Sequence, residues 1–557
     1  MNRRKAALLI GTAFIAPATL ASGQEVVKVA GVEATRVVIA PPRTELARLI
    51  RAGLSAAYHG TPKDAPGYEQ AQKLYFFYGA RGFEPLWLSE DESGTIRFSD
   101  NASKVIALFE KATFEGFRPS DYLTPALDIA AAGTDPARLA ALETAFSAAA
   151  TLYGQHAYAG RLKPTDVSSV WTITPKRIDE ADLLIRLAES DTPDQILRDL
   201  SPKHREFVRL REALARFYDG SVVDEAVKIP EGPLLKPGMR DERVTLLRQR
   251  LDVPEPDIPE TAGTAAAPDF TYDEPLVAAV RAFQEGLGLT VDGVIGPATV
   301  AALNGGTATT REDIVANMER WRWEPDAFGD FHVFVNIPEF RLAIINRDQV
   351  HYTTRVVVGT PKHQTPVFSD MIRHIVVNPY WNVPASIARN EIAPKLAANP
   401  YYLDSQNMEM LYGGQVINAA AIDWRSTNVN RFHIRQRPGP SNALGAVKFL
   451  FPNQHDVYLH DTPSKSLFAR SFRAYSHGCV RVENPMQFAD ALLANEPEMS
   501  AARLEAMYGP NERWVNLKTR VPVHLSYFTL RVDADGTIRS YGDVYGANKR
   551  VIELLEA

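Results

Sequence analysis

One cysteine occurs in the 557 residues of this chain, within Ser476-His477-Gly478-Cys479-Val480-Arg481. A lone thiol closes no intramolecular disulfide, so Cys479 is either a small buried hydrophobe or a reagent. Its neighbours favour the reagent. A thiol with an ordinary pKa of about 8.5 is only slightly ionised near neutrality and needs a base. His460, in Tyr458-Leu459-His460-Asp461, would take that proton and return it to a leaving amine. Gly478 lets the backbone pass close to a carbonyl, so N–H groups around 477 to 479 are candidates to bind a developing oxyanion. If 477–481 is extended, His477, Cys479 and Arg481 share one face while Val480 and Val482 turn to a core. Tyr458 and His460 share a face of the preceding strand, and sheet pairing would set His460 beside Cys479. Arg481 has two readings, a substrate-carboxylate ligand or a solvated surface arginine.

The elements that must position these residues follow from pattern. The length predicts three or four domains, and 45% hydrophobic with 9% aromatic residues suffices for packed cores. The net charge of −6 and the lack of a dense basic patch argue against nucleic-acid binding. Asn2-Arg3-Arg4-Lys5 precedes an apolar run from Ala6 to Ala16 and small residues up to Gln24, the order of an export signal. Residues 1–23 are therefore expected to be a signal peptide, 24–44 a flexible tether and 45–228 a helical scaffold. Residues 229–306 read as a small domain of short helices and tight Gly turns with Val280, Phe283, Ile295 and Leu303 as its core, and 307–330 as a connecting helix. From 331 to 535 short β-branched runs bounded by turns predict a mostly antiparallel β domain. An insertion at about 385–437 is expected to cap it, and 536–557 to form a C-terminal tail. The fold class expected is multidomain α+β. No later transmembrane segment appears, and an exported chain retaining one free thiol makes sense if that thiol is used.

His460, fifteen intervening residues, Ser476 to Arg481 and Asn484 resemble the signature of the L,D-transpeptidases with a YkuD-type catalytic domain. Gly359-Thr360-Pro361 to Thr365-Pro366, Asn378 to Pro384 with Trp381, and Arg435 to Gly439 with Asn442 agree with it. Phe283-Gln284, Asp292-Gly293 and Gly296 resemble a peptidoglycan-binding domain, and the whole chain resembles the large periplasmic subgroup of the family. The resemblance implies ping-pong acyl transfer. Cys479 would attack the L-centre carbonyl of diaminopimelate in a tetrapeptide stem, D-Ala would leave, and an amine of another stem would resolve the thioester into a 3–3 cross-link. It implies His460 as general base, His477 and Gly478 in the oxyanion loop, and Arg481, Tyr458, Ser476, Trp381 and Asn442 around the substrate. Asn484 is expected to be structural. It further implies a mobile cap over the substrate groove and acylation by carbapenems.

The expected partners are peptidoglycan stem peptides and glycan, with other cell-wall synthases, in the periplasm; no cofactor or metal is expected. His455 and His460 are five apart, on opposite faces of a strand, and make a poor metal pair. Alternatives are a Cys/His wall-peptide hydrolase and a non-enzymatic wall-binding scaffold. The base precedes its cysteine in sequence, which argues against the common cysteine-peptidase order. Cross-linking, D-amino-acid exchange and lipoprotein attachment are not separated by the sequence.

Overall fold

The computed structural model describes residues 25–28, 36–218, 229–251, 253–256, 270–286, 289–303 and 309–557. The expected signal peptide over 1–23 lies outside them, as do parts of the tether and most of the Pro/Ala/Glu-rich insert at 254–268. The chain divides into two compact units, Met1–Tyr158 with Arg177–Ser201, and Ala159–Lys176 with Pro202–Ala557.

In the first unit, Thr44 and Ser99 open helices Glu45–Gly60 and Asp100–Glu110 by accepting the Ala47 and Ala102 N–H groups, which satisfies otherwise orphaned donors. Their apolar faces close on Trp87, Phe109, Phe146 and Tyr153. Glu143, wholly buried, accepts the N–H groups of Leu86, Trp87 and Leu88 and the Tyr78 hydroxyl. That carboxylate is a structural bracket. The tether expected over 24–44 is corrected. Glu25–Lys28 pairs antiparallel with Arg36–Ile39, and Ile39 is buried in the helical core, because valine and isoleucine favour a strand over a free linker.

In the second unit, helices Arg243–Leu251, Glu274–Gly286 and Pro297–Leu303 enclose Val280, Ile295 and Leu303, with Phe283 packed against them. Gln284 donates to Asp292 Oδ1 and Val294 O and accepts Gly293 N–H at 2.9 Å. These motif residues therefore build the module. The scaffold boundary at 228 and the connecting role of 307–330 are also corrected. Phe207, Leu210 and Leu214 of helix Arg205–Tyr218 pack with Ile314, Met318 and Trp321 of helix Arg311–Trp323 in one core.

The catalytic-domain candidate is a sheet of nine strands, β1 (Phe331–Asn336), β2 (Arg341–Asn346), β3 (Gln349–Gly359), β4 (Phe368–Val377), β5 (Val447–Leu450), β6 (Leu459–His460), β7 (Ala474–Ser476), β8 (Val480–Val482) and β9 (Arg513–Ser526). Their order is β7-β3-β8-β6-β5-β4-β9-β1-β2, and β2 also pairs with β3, which closes the sheet on itself. Pairings β6/β8, β7/β3 and β9/β1 are parallel and the other six antiparallel, so the mostly antiparallel reading holds. Alternate residues such as Val356, Ile375, Phe449, Leu459 and Val480 fill the interior, while residues in between face outward.

The insertion carries its own sheet, from Trp381–Asn382, Met408–Tyr412, Gln415–Ile417 and His433–Gln436, over a core that includes Leu396, Met410, Trp424 and Ile434. It thus begins at 381, a few residues before the expected edge. In the C-terminal tail a hairpin over 532–538 and a short helix over 551–557 are expected from the sequence; both form, and the helix starts earlier, at 547. Leu530–Val532 pairs with Ile538–Ser540, and helix Ala547–Glu556 buries Val551 and Leu555 in the main core. Val551→Ala should destabilise the catalytic unit by about 2 kcal/mol, measured by urea unfolding. A loss under roughly 0.5 kcal/mol would mean that this helix is not part of the cooperative core.

Candidate active site

The parallel pairing of β6 with β8 sets Leu459 opposite Val480 and His460 opposite Arg481. On its other side β6 pairs antiparallel with β5, which sets His460 opposite Lys448. Since Leu459, Val480 and Phe449 point inward, Lys448, His460 and Arg481 form an outward row across three strands. Cys479 lies two residues before Arg481, at the mouth of β8, and Tyr458 two residues before His460. The Tyr458 ring stands edge-on to the imidazole at 5.7 Å, and its hydroxyl interacts with the Cys479 thiol. The thiol itself lies 3.9 Å from Asp456 O.

His460 is 4% exposed, and its Nδ1 lies 2.5 Å from Asp461 O. A carbonyl only accepts, so Nδ1 carries the proton and Nε2 keeps its lone pair. Burial first, then the Arg481 guanidinium, lowers the imidazole pKa to about 3. It is a neutral base. Burial also pushes the Cys479 thiol up to about 11, against the favourable pull of Tyr458 and Arg481. The resting pair is thiol and neutral imidazole.

The loop carrying the thiol is held from below. The Ser476 hydroxyl donates to Cys479 O at 2.5 Å and accepts Gly478 N–H at 3.2 Å. The Thr365 hydroxyl donates to Gly478 O at 2.8 Å and accepts Gly359 N–H at 2.9 Å. Tyr545, from the C-terminal segment, donates its hydroxyl to Gly359 O and accepts Thr365 N–H. Gly478 has φ 115°, a conformation that requires glycine. Two expectations change here. The Ser476 hydroxyl is spent on backbone and is buried away from substrate, and the Gly478 N–H points to Ser476. The N–H groups of His477 and Cys479 have no backbone partner among the described residues and remain the oxyanion candidates.

His477 is exposed. Its Nε2 lies 2.9 Å from Glu391 Oε1, and its ring lies 4.7 Å from that of His363. Glu391 belongs to a wide turn, Ala388–Ile392, of the capping insertion, so cap and thiol loop meet. Arg481 is half-buried, its Nε lacks an acceptor, and burial lowers its pKa, which favours a ligand over a solvated arginine. Trp381 packs in the core of the cap. Asn442 is corrected: fully buried, its amide donates to Pro379 O and Arg437 O while its carbonyl accepts Leu444 N–H. Nothing of it is left for substrate. Asn484 precedes helix Pro485–Leu492, where its carbonyl accepts the Tyr352 hydroxyl at 3.3 Å. The sequence reading missed Lys448, Glu391 and Tyr545, and it quoted Thr365 only as part of the family-like motif, without a role. Lys448 had a signal that was not used, a charge between Val447 and Phe449.

Among the described residues no group of three or more His, Cys, Asp or Glu side chains is placed to hold a metal, and no helix is long and apolar enough to cross a membrane.

Residues 330–523 match the YkuD family, described as L,D-transpeptidase catalytic domain. Residues 72–214 match a family described as scaffold domain, and 240–303 one described as "Putative peptidoglycan binding domain". A curated protein of Haemophilus influenzae, "Putative L,D-transpeptidase", is 35% identical over 245 residues, 43% of this chain and 49% of the relative. The match thus spans about half the length of that relative. An L,D-transpeptidase structure from Xylanimonas cellulosilytica aligns at 18% identity over 53% of this chain and 98% of that one, with a TM-score of 0.17. A fused Zn-dependent amidase/peptidase/peptidoglycan-binding domain-containing protein from Clostridium acetobutylicum aligns at 11% over 53% and 100%, with a TM-score of 0.14.

A raised thiol pKa keeps Cys479 protonated below it, so reaction through the thiolate should accelerate as pH rises. With iodoacetamide, a small neutral reagent, the alkylation rate should climb until pH about 11, where an ordinary thiol levels off near 8.5. Mass spectrometry of the alkylated protein reads the rate. A plateau reached below pH 8 would mean that the resting site holds a thiolate.

Proposed function

We propose that the chain, whose residues 330–523 match the YkuD family of L,D-transpeptidase catalytic domains, is a peptidoglycan L,D-transpeptidase forming 3–3 cross-links through a thioester on Cys479. The observation that supports the reading is the β6/β8 register, which sets the neutral, buried His460 opposite Arg481, two residues along the chain from Cys479.

Sulfur attacks the L-centre carbonyl of diaminopimelate in a donor tetrapeptide as the Cys479 proton passes to His460 Nε2. The main-chain N–H groups of His477 and Cys479 receive the oxyanion. Collapse breaks the C–N bond, the imidazolium gives its proton to the departing amine, and D-Ala leaves. The side-chain amine of a second stem then attacks the thioester, His460 takes its proton, and the thiol is regenerated. Because burial disfavours both a thiolate and an imidazolium, proton transfer accompanies C–S bond formation instead of preceding it. Arg481 offers its guanidinium to a substrate carboxylate. Thr365, Tyr545 and Ser476 are positioning residues, which hold the loop through its backbone.

The capping insertion acts as a lid that shields the thioester from water and so favours aminolysis; the Glu391–His477 contact supports this. An exposed polar contact of this kind is worth at most about 1 kcal/mol, weak enough to open in each cycle. The 240–303 module holds wall glycan near the site, and residues 1–23 direct export to the periplasm.

Purified protein mixed with disaccharide-tetrapeptide should yield tetrapeptide–tripeptide dimers and free D-Ala by mass spectrometry, both absent with Cys479→Ala. Tripeptide and D-Ala without dimers would favour a carboxypeptidase; unchanged substrate would favour the scaffold. Acylation by a carbapenem should increase hydrogen-exchange protection over residues 385–405, and equal strong protection before and after would sink the lid.

A further inference from the structure

Lys448 has no part in the chemistry above, yet it occupies a costly position. It is 7% exposed, on the outer face of β5, directly opposite His460. Its ammonium makes no hydrogen bond among the described residues, and its one ion pair there, to Glu512 Oε1, is long at 4.0 Å. Glu512 is already engaged: Oε1 accepts Tyr380 N–H at 2.9 Å and Oε2 accepts Trp514 Nε1–H at 3.0 Å. The rings of Tyr458 and Trp514 flank the ammonium with centroids at 5.7 and 5.9 Å. Both are cation–π contacts, and a ring face leaves the N–H donors of the ammonium unused. Burial lowers the Lys448 pKa, while Glu512 and the nearby Cys479 sulfur oppose that shift. A largely buried cation with unused donors gains from an arriving anion.

Arg481 mirrors it. The two cations stand on either side of His460, two strand spacings apart, or about 10 Å between backbones, and Arg481 Nε also lacks an acceptor. We infer that Lys448 is a second substrate-carboxylate anchor, so that the site takes a donor with a carboxylate on each side of the scissile bond. The inference rests on the transpeptidase reading, whose donor has two such groups: the terminal carboxylate of the leaving D-Ala and the side-chain carboxylate of diaminopimelate. Both present the same chemistry to an ammonium.

The test is calorimetric titration of disaccharide-tetrapeptide into full-length Cys479→Ala protein, with and without Lys448→Met. The methionine should weaken binding about 10- to 100-fold, the worth of a charge-assisted hydrogen bond, and Lys448→Arg should recover most of it. Lys448→Met should melt no lower than its parent, since it removes a largely buried charge whose one ion pair is long. A donor ending in a carboxamide and a donor with lysine in place of diaminopimelate identify the source: the methionine penalty vanishes on whichever lacks the bound carboxylate. Equal affinity of parent and Lys448→Met overturns the inference, as does a loss that comes with a lower melting temperature and is not restored by arginine. Turnover by the unmodified enzyme separates the two readings. Dimers formed with a Lys448-independent affinity remove only the anchor. Lys448-dependent binding without dimers keeps the anchor and removes the reaction, and no binding by the parent removes both.

Discussion

Two residues of parallel ladder, Leu459 with Val480 and His460 with Arg481, decide which side chains can react. A strand alternates faces, so a slip of one position would send His460 into the interior and bring Leu459 out beside the thiol. What prevents the slip is packing remote from chemistry: Leu459, Val480, Val482 and Phe449 all sit in the closed interior, where burying a charge or losing a large apolar side chain would cost several kcal/mol. The hydrophobic effect on the inner face thus sets the order Lys448, His460, Arg481 on the outer one. The closure by β2 and β3 adds to this, since a closed sheet has few edges along which a strand can shift.

The electrostatics of the row follow from that placement. An imidazole held between two cations and out of water is kept neutral, and the Asp461 carbonyl fixes its tautomer, so the nitrogen left with a lone pair is defined before any substrate arrives. A thiol in the same dry site stays protonated. The thiolate is the species that oxidises, so a thiol held protonated by burial is also shielded from oxidation.

The alternation of Tyr458, His460, Cys479 and Arg481 was legible in the sequence because strand geometry has a period of two, and interior valines mark the phase. The turn chemistry of the thiol loop was not. Gly478 reads as an oxyanion donor from its freedom alone, but its N–H is claimed by Ser476, and hydrogen bonds between a side chain and its own loop leave no periodic trace. Asn442 is a similar case, a polar residue near the site in sequence that is consumed by three backbone groups. Helix Arg205–Tyr218 shows why the scaffold boundary was misplaced: amphipathic spacing gives the width of an apolar face without saying which core receives it. Lys448 had the most accessible signal, a charge on the outward position between the apolar Val447 and Phe449, one strand from His460.

The C-terminal segment shows how local reading underestimates long-range order. A short terminal helix is legible in the sequence, but not its destination: Val551 and Leu555 anchor it in the main core, and that anchoring fixes Tyr545 just before it. Tyr545 bridges Gly359 O and Thr365 N–H, and Thr365 in turn holds Gly478 O. The thiol loop is therefore tied through three hydrogen bonds to packing more than sixty residues away in sequence. A loop with φ 115° at its centre has little intrinsic preference for one shape, so its precision is borrowed from the core through this chain of contacts. Disturbing the helix would loosen the thiol loop and leave the β6/β8 register intact, so the fold positions Cys479 and His460 through two different sets of contacts.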